Sequence, residues 1–154
     1  MSEVKTLSAF FKENEIVKEP VKYVASKRFV DANGDPVEWE LRALTNDEID
    51  TLQHRCQKKV PVKGTRDYQT VFDRERFTME FTLKSIVYPN LNDTELQTNR
   101  GVVGAEALLK DLLTPGELAD LYLASSEASD FQTGMDDKIK TVKNLSGQKT
   151  PKQP

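Results

Sequence analysis

His54 and Cys56 are the sole histidine and the sole cysteine of the 154-residue chain. An imidazole beside a thiol makes a nucleophilic pair only if the two can touch. Two positions apart on a predicted helix they diverge. Cys56 falls on the apolar stripe of that helix and reads as buried packing, while His54 lies off the stripe and reads as exposed. A zinc site takes about four soft or imidazole ligands, more than one Cys and one His supply. Asp31, Asn33 and Asp35 have the spacing of the first ligands of an EF-hand loop. The sixth position, however, is Pro36 instead of glycine, and the twelfth is Arg42 instead of a bidentate glutamate. Turn chemistry accounts for all three residues. Gly101-Val102-Val103-Gly104 lacks the further glycines, lysine and hydroxyl of either nucleotide-binding fingerprint. Asp73 with Glu75, and Asp136 with Asp137, read as ordinary surface pairs. The expectation is a non-enzymatic chain with no catalytic, metal or cofactor residues.

Charge narrows the partners. Lys and Arg total 22 against 25 Asp and Glu, a formal net charge of -3, which gives no whole-chain pull toward nucleic acid or anionic lipid. A local basic cluster remains in Lys58, Lys59, Lys63 and Arg66, with Arg74 and Arg76 beyond it. It supports a rival reading as a small nucleic-acid-binding regulator, but without aromatic interleaving a solvated loop fits better. No run approaches the ~20 apolar residues that span a bilayer. One cysteine excludes an intrachain disulfide and suits a reducing compartment, so a cytoplasmic protein is expected.

These residues must be held by something, and the chain divides into a leader (1–20), a globular part (21–131) and a polar tail (132–154). The leader carries Leu7-Ser8-Ala9-Phe10-Phe11, either one turn of helix packed back onto the core or a segment a partner captures. Residues 22–42 read as a β-hairpin, with Val37, Trp39 and Leu41 alternating against Glu38, Glu40 and Arg42. Asn33-Gly34 marks the turn. The register that gathers most apolar side chains opposes Phe29 to Val37, Lys27 to Trp39 and Ala25 to Leu41, with Arg28 across from Glu38. It requires a longer loop or a bulge near Gly34. A lone hairpin is marginal in water, so the Trp39 face must rest on helices or on another subunit, which makes a homo-oligomer one of the expectations.

Thr45-Asn46-Asp47-Glu48 is a capping box opening a helix with Ile49, Leu52, Cys56 and Val60 on its stripe. Residues 58–73 read as a loop, and 72–87 as a long core helix with Phe72, Met79, Leu83 and Ile86 in line, Phe77 and Phe81 beside them, and Pro89 as its stop. Asn92-Asp93-Thr94-Glu95 starts a short helix. Residues 105–113 form an amphipathic helix, and Thr114-Pro115-Gly116-Glu117 caps a following one that ends near Ser126 or Ser129. Beyond Phe131 only Ile139, Val142 and Leu145, three apart, suggest an amphipathic turn. The fold class is therefore α+β and predominantly α, an N-terminal hairpin on a bundle of about four or five helices.

The order of these features carries a resemblance. The leader Leu7-Ser8-Ala9-Phe10-Phe11, the strands ending Ser26-Lys27-Arg28-Phe29 and Trp39-Glu40-Leu41-Arg42, and Ala43-Leu44-Thr45 before the capped helix come first. The 77–87 helix, Tyr88-Pro89-Asn90-Leu91 and the Leu112-Leu113-Thr114-Pro115-Gly116-Glu117 junction follow. Over residues 8–145 the chain resembles the XkdN-like tail assembly chaperone family of Gram-positive phages and prophages. The resemblance implies a host-cytoplasmic protein, absent from the mature virion, that binds the tape-measure protein, keeps its hydrophobic helices soluble and yields as tail-tube protein polymerises. Related chaperones are often made in short and frameshift-extended forms. The nearest rival is a head-tail connector or tail completion protein, which would stay in the particle. The expected contact residues are Leu7, Phe10 and Phe11, with Phe131, Ile139, Val142 and Leu145, where a core role is least secure.

Overall fold

Two reciprocal Thr–Glu caps set the helical frame. In the computed structural model, which describes residues 5–131, helix α1 (Asn46–Arg55) opens with Thr45 and helix α5 (Pro115–Ala128) with Thr114. At each, the threonine Oγ1 accepts from the glutamate N–H at 3.2 Å while the glutamate Oε1 accepts from the threonine N–H. Between them lie α2 (Arg74–Ser85), α3 (Thr94–Arg100) and α4 (Ala105–Leu112). Asp73 and Asp93 cap α2 and α3, and the left-handed Gly101 ends α3.

Strands β1 (Val21–Tyr23), β2 (Trp39–Leu41) and β5 (Ile86–Tyr88) make one antiparallel sheet with β2 in the middle. Strands β3 (Gln57–Pro61) and β4 (Tyr68–Phe72) form a separate two-stranded ribbon. The class is α+β, as expected, and the Trp39 face rests on helices of the same chain. Trp39 and Leu41 pack with Leu108, Leu109, Leu112 and Leu121 in one core cluster. Leu44, Ile49, Leu52, Cys56, Phe77 and Phe81 form a second. Helix α2 serves both, presenting Phe77 and Phe81 to the second and Met79 and Leu83 to the first.

Four sequence expectations need correction. The hairpin register holds only at the turn, where Val30 pairs with Pro36 and Val37 N–H donates to Phe29 O. Farther out Trp39 faces Tyr23 and Leu41 faces Val21, not Lys27 and Ala25. Residues 24–28 leave the ladder so that Ala25 and Ser26 bury. Arg28 does not meet Glu38; it donates to Leu112 O at 2.6 Å and to Glu117 Oε1 at 3.0 Å. Second, the predicted loop over 58–73 is the β3–β4 ribbon, so Val60 and Phe72 are strand residues and not members of helical stripes. Third, the long helix covers only Arg74–Ser85, because β-branched Ile86 and Val87 continue as β5 against β2. Fourth, the leader forms two short 3-10 turns, Ser8–Phe10 and Lys12–Asn14, without packing back: Phe10 is 84% exposed.

Arginines from the β1–β2 region clamp both capping glutamates. Arg42 reaches Glu48 with two bonds of 3.0 and 2.7 Å, and Arg28 reaches Glu117 with one of 3.0 Å. The Arg42 bonds first, then the Thr45 amide, hold the Glu48 carboxyl down at about 2, against 4.5 for a free side chain. Glu117 is also held at about 2, first by the Thr114 amide and then by Arg28. A depressed folded pKa means the stabilisation is complete above the unfolded value and is lost as pH falls from about 4.5 through 2. Thermal melts across that window should show stability falling. Glu48→Gln, which keeps the cap but cannot titrate, should flatten the fall; an unchanged acid limb would place the titration elsewhere.

Candidate protein-binding groove

Helix α5 carries more apolar surface than one core can cover. Leu121, Tyr122 and Leu123 are consecutive, and on a helix three neighbours spread over about 200°. Leu121 is fully buried in the first cluster, and Tyr122 turns toward the second. Leu123 is left 59% exposed. On α2, Met79 faces the same side of the molecule.

Between the two helices lies a groove of about 620 Å³, lined by Met79, Thr78 and Thr82 from α2 and Leu118, Ala119, Tyr122 and Leu123 from α5, with Pro115 among them. Arg74 and Glu75 mark the first turn of α2 at its rim. The Thr82 hydroxyl donates to Thr78 O at 2.8 Å, so this polar atom is satisfied within its own helix. What remains facing the groove is largely hydrocarbon. Helix α2, at 12 residues, is about 18 Å long, enough to hold three turns of a third helix. A concave apolar surface between helices is how an amphipathic segment is bound, its i, i+3, i+4 side chains filling the groove.

The residues expected at a contact surface distribute unevenly. Leu7, Phe10 and Phe11 are exposed, and so are Ile16 and Val17 farther along the leader. Lys18 anchors that segment near the end of α5, donating to Ala128 O at 2.7 Å and pairing with Asp130 at 3.0 Å. Phe131 is partly buried: its ring stacks on Phe81 with centroids 5.3 Å apart and meets Phe77 at 6.1 Å. It thus packs within the second cluster. Ile139, Val142 and Leu145 lie outside the described residues.

The groove residues were only partly legible beforehand. The sequence places Leu118, Leu121 and Tyr122 on one face of α5 and singles out neither Leu123 nor the joint α2–α5 surface. The readable signal was the excess of apolar residues at 121–123 over what one stripe needs.

Among the described residues, the chemistry-bearing side chains do not converge on a second site. Cys56 is buried at the end of α1, and its thiol donates to Glu80 at 3.1 Å. Burial first, and the Glu80 carboxylate second, push that thiol up to about 11, so it stays protonated and unreactive at neutral pH. Burial raises the Glu80 carboxyl, but bonds from Cys56 and Arg55 outweigh it and leave Glu80 below its ordinary range. Asp31 acts as a turn former, its Oδ1 accepting from the Asn33 and Asp35 amides.

Comparison with known proteins places this architecture. The family described as "Phage XkdN-like tail assembly chaperone protein, TAC" matches residues 7–143. The Bacillus subtilis (strain 168) protein YqbN is 30% identical over 139 residues, covering 90% of this chain and 93% of that one. The phage-like element PBSX protein XkdN of the same organism is 28% identical over 139 residues, with the same coverage. The crystal structure of YqbN superposes with a TM-score of 0.68 at 27% identity, spanning 84% of this chain and all of the other.

Proposed function

The chain belongs to the XkdN-like family of phage tail assembly chaperones, and from that membership we propose that it binds the tape-measure protein during tail morphogenesis and keeps it soluble. The observation that carries the reading is the α2–α5 groove of about 620 Å³, lined mostly by apolar side chains of two helices. A long helical client whose apolar stripe lacks its final partner would gain by seating that stripe here. Each buried leucine-sized side chain removed from water contributes about 1.5–3 kcal/mol. Leu7, Phe10 and Phe11 on the leader add a second apolar contact, close to the polypeptide that Lys18 ties to α5. The protein would act in the host cytoplasm and be absent from the mature virion, released when tail-tube protein assembles around the client.

The test is co-expression of the tagged chain with the products of its own genomic neighbourhood, followed by capture and mass spectrometry. Recovery of a very long helical protein, lost on Phe10→Asp with Phe11→Asp, is the expected result. Recovery of portal or tube subunits in a stable ring, or of nothing but the chain itself, would instead indicate a structural component.

A further inference from the structure

The β3–β4 ribbon is a cationic arm with a single acid among its charges. From Gln57 to Phe72 it carries Lys58, Lys59, Lys63 and Arg66 against Asp67, a side-chain charge of 4 - 1 = +3. All four cations are exposed and make no ion pair among the described residues. The register puts Lys59 opposite Thr70 and Pro61 opposite Tyr68. By strand alternation Lys59 and Pro61 share one face with Thr70 and Tyr68, Tyr68 being 66% exposed, while Lys63 stands beyond the strand in the turn closed by Thr65 N–H donating to Val62 O at 3.1 Å.

Residues 115–131 have the opposite character. They contain Glu117, Asp120, Glu127 and Asp130 and no Lys, Arg or His. Arg28 pairs with Glu117 and Lys18 with Asp130. Asp120 and Glu127 are exposed and make no ion pair among the described residues. Seven positions apart, they lie on one ridge of α5, beside the groove and not inside it. Their separation along the helix is about 10 Å.

We propose that the ribbon of one copy docks on the α5 ridge of a second copy, Lys59 and Lys63 meeting Asp120 and Glu127. The opposite charge of the two exposed surfaces, neither ion-paired among the described residues at these positions, is what selects a second copy as the occupant, since one chain carries both halves. The two surfaces differ, so the contact is head-to-tail and propagates into a row or closes into a ring, in contrast to a two-fold pair. Copies in such a row present successive grooves along one line.

The experiment is sedimentation of the full chain at low and high salt. Wild type should self-associate at low salt and dissociate as salt rises. Lys59→Glu with Lys63→Glu should weaken association about tenfold or more, as should Asp120→Lys with Glu127→Lys. Each variant alone sets like charges against each other, yet a mixture of the two should re-associate. Unchanged circular dichroism and melting would show that both variants fold. A chain that stays monomeric at low salt, association indifferent to either reversal, or a mixture that fails to re-associate would overturn the proposal. So would a ribbon variant that loses retention of duplex DNA while its self-association is unaltered, which would assign the arm to nucleic acid.

Discussion

Phe81→Ala is expected to destabilise the fold by about 3–5 kcal/mol, the range for deleting a fully buried phenylalanine ring. Phe81 has no exposed surface, and its ring lies 5.7 Å from Phe77, 5.8 Å from Tyr122 and 5.3 Å from Phe131. One truncation thus empties the junction at which α2, α5 and the segment after α5 meet, and that junction shares Tyr122 with the groove. The cavity cannot collapse readily, because α2 is fixed on its other side by Met79 and Leu83 in the first cluster. For a domain of this size the melting temperature should fall by roughly 10–20 °C. Phe81→Leu, which refills most of the volume, should lose far less. Phe10→Ala, at an exposed ring, should leave the melting temperature unchanged. Equal effects at positions 81 and 10 would contradict the packing described.

Leu123→Asp is expected to separate binding from folding. Leu123 lies at the lip of the groove and is mostly exposed, so its replacement should change stability by no more than about 0.5 kcal/mol. A carboxylate there would have to be stripped of water whenever an apolar helix docks. Client capture should therefore fall roughly tenfold or more at unchanged melting temperature, measured on variant and wild type side by side. Leu123→Met, of similar volume and polarity, should retain capture. Retention by the aspartate variant would move the client away from the groove and toward the leader.

What could be read from the sequence was mostly what is decided locally. Both capping boxes are four-residue events and stand where Thr45–Glu48 and Thr114–Glu117 indicate. Cys56 is buried and His54 exposed because helical spacing fixes their faces. Errors gathered wherever a distant partner decides. Ile86 and Val87 extend an apolar helical pattern, yet β2 offers them a ladder, and their β-branched side chains follow it. Pro61, Gly64 and four cations look like a loop, although Val60, Val71 and Phe72 suffice for a ribbon once the strands can pair. Gly64, at φ 82°, supplies the left-handed turn that the ribbon needs. Arg28 reads from the sequence as facing a cross-strand partner, since nothing in the local pattern reveals the Leu112 carbonyl and Glu117 waiting 84 and 89 positions later. The groove belongs to the same category. Its lining comes from two helices whose relative placement depends on Phe81 and its neighbours, so a stripe on either helix alone reads as core.

The solubility of the tape-measure protein is the quantity closest to the central claim. It should be expressed alone, with this chain, and with the Leu123→Asp chain, and its soluble share measured after lysis and centrifugation. The account predicts that the client is largely insoluble alone, soluble with the intact chain, and insoluble again with the variant. Equal solubility in all three, or rescue by the aspartate variant as complete as by the intact chain, would contradict it.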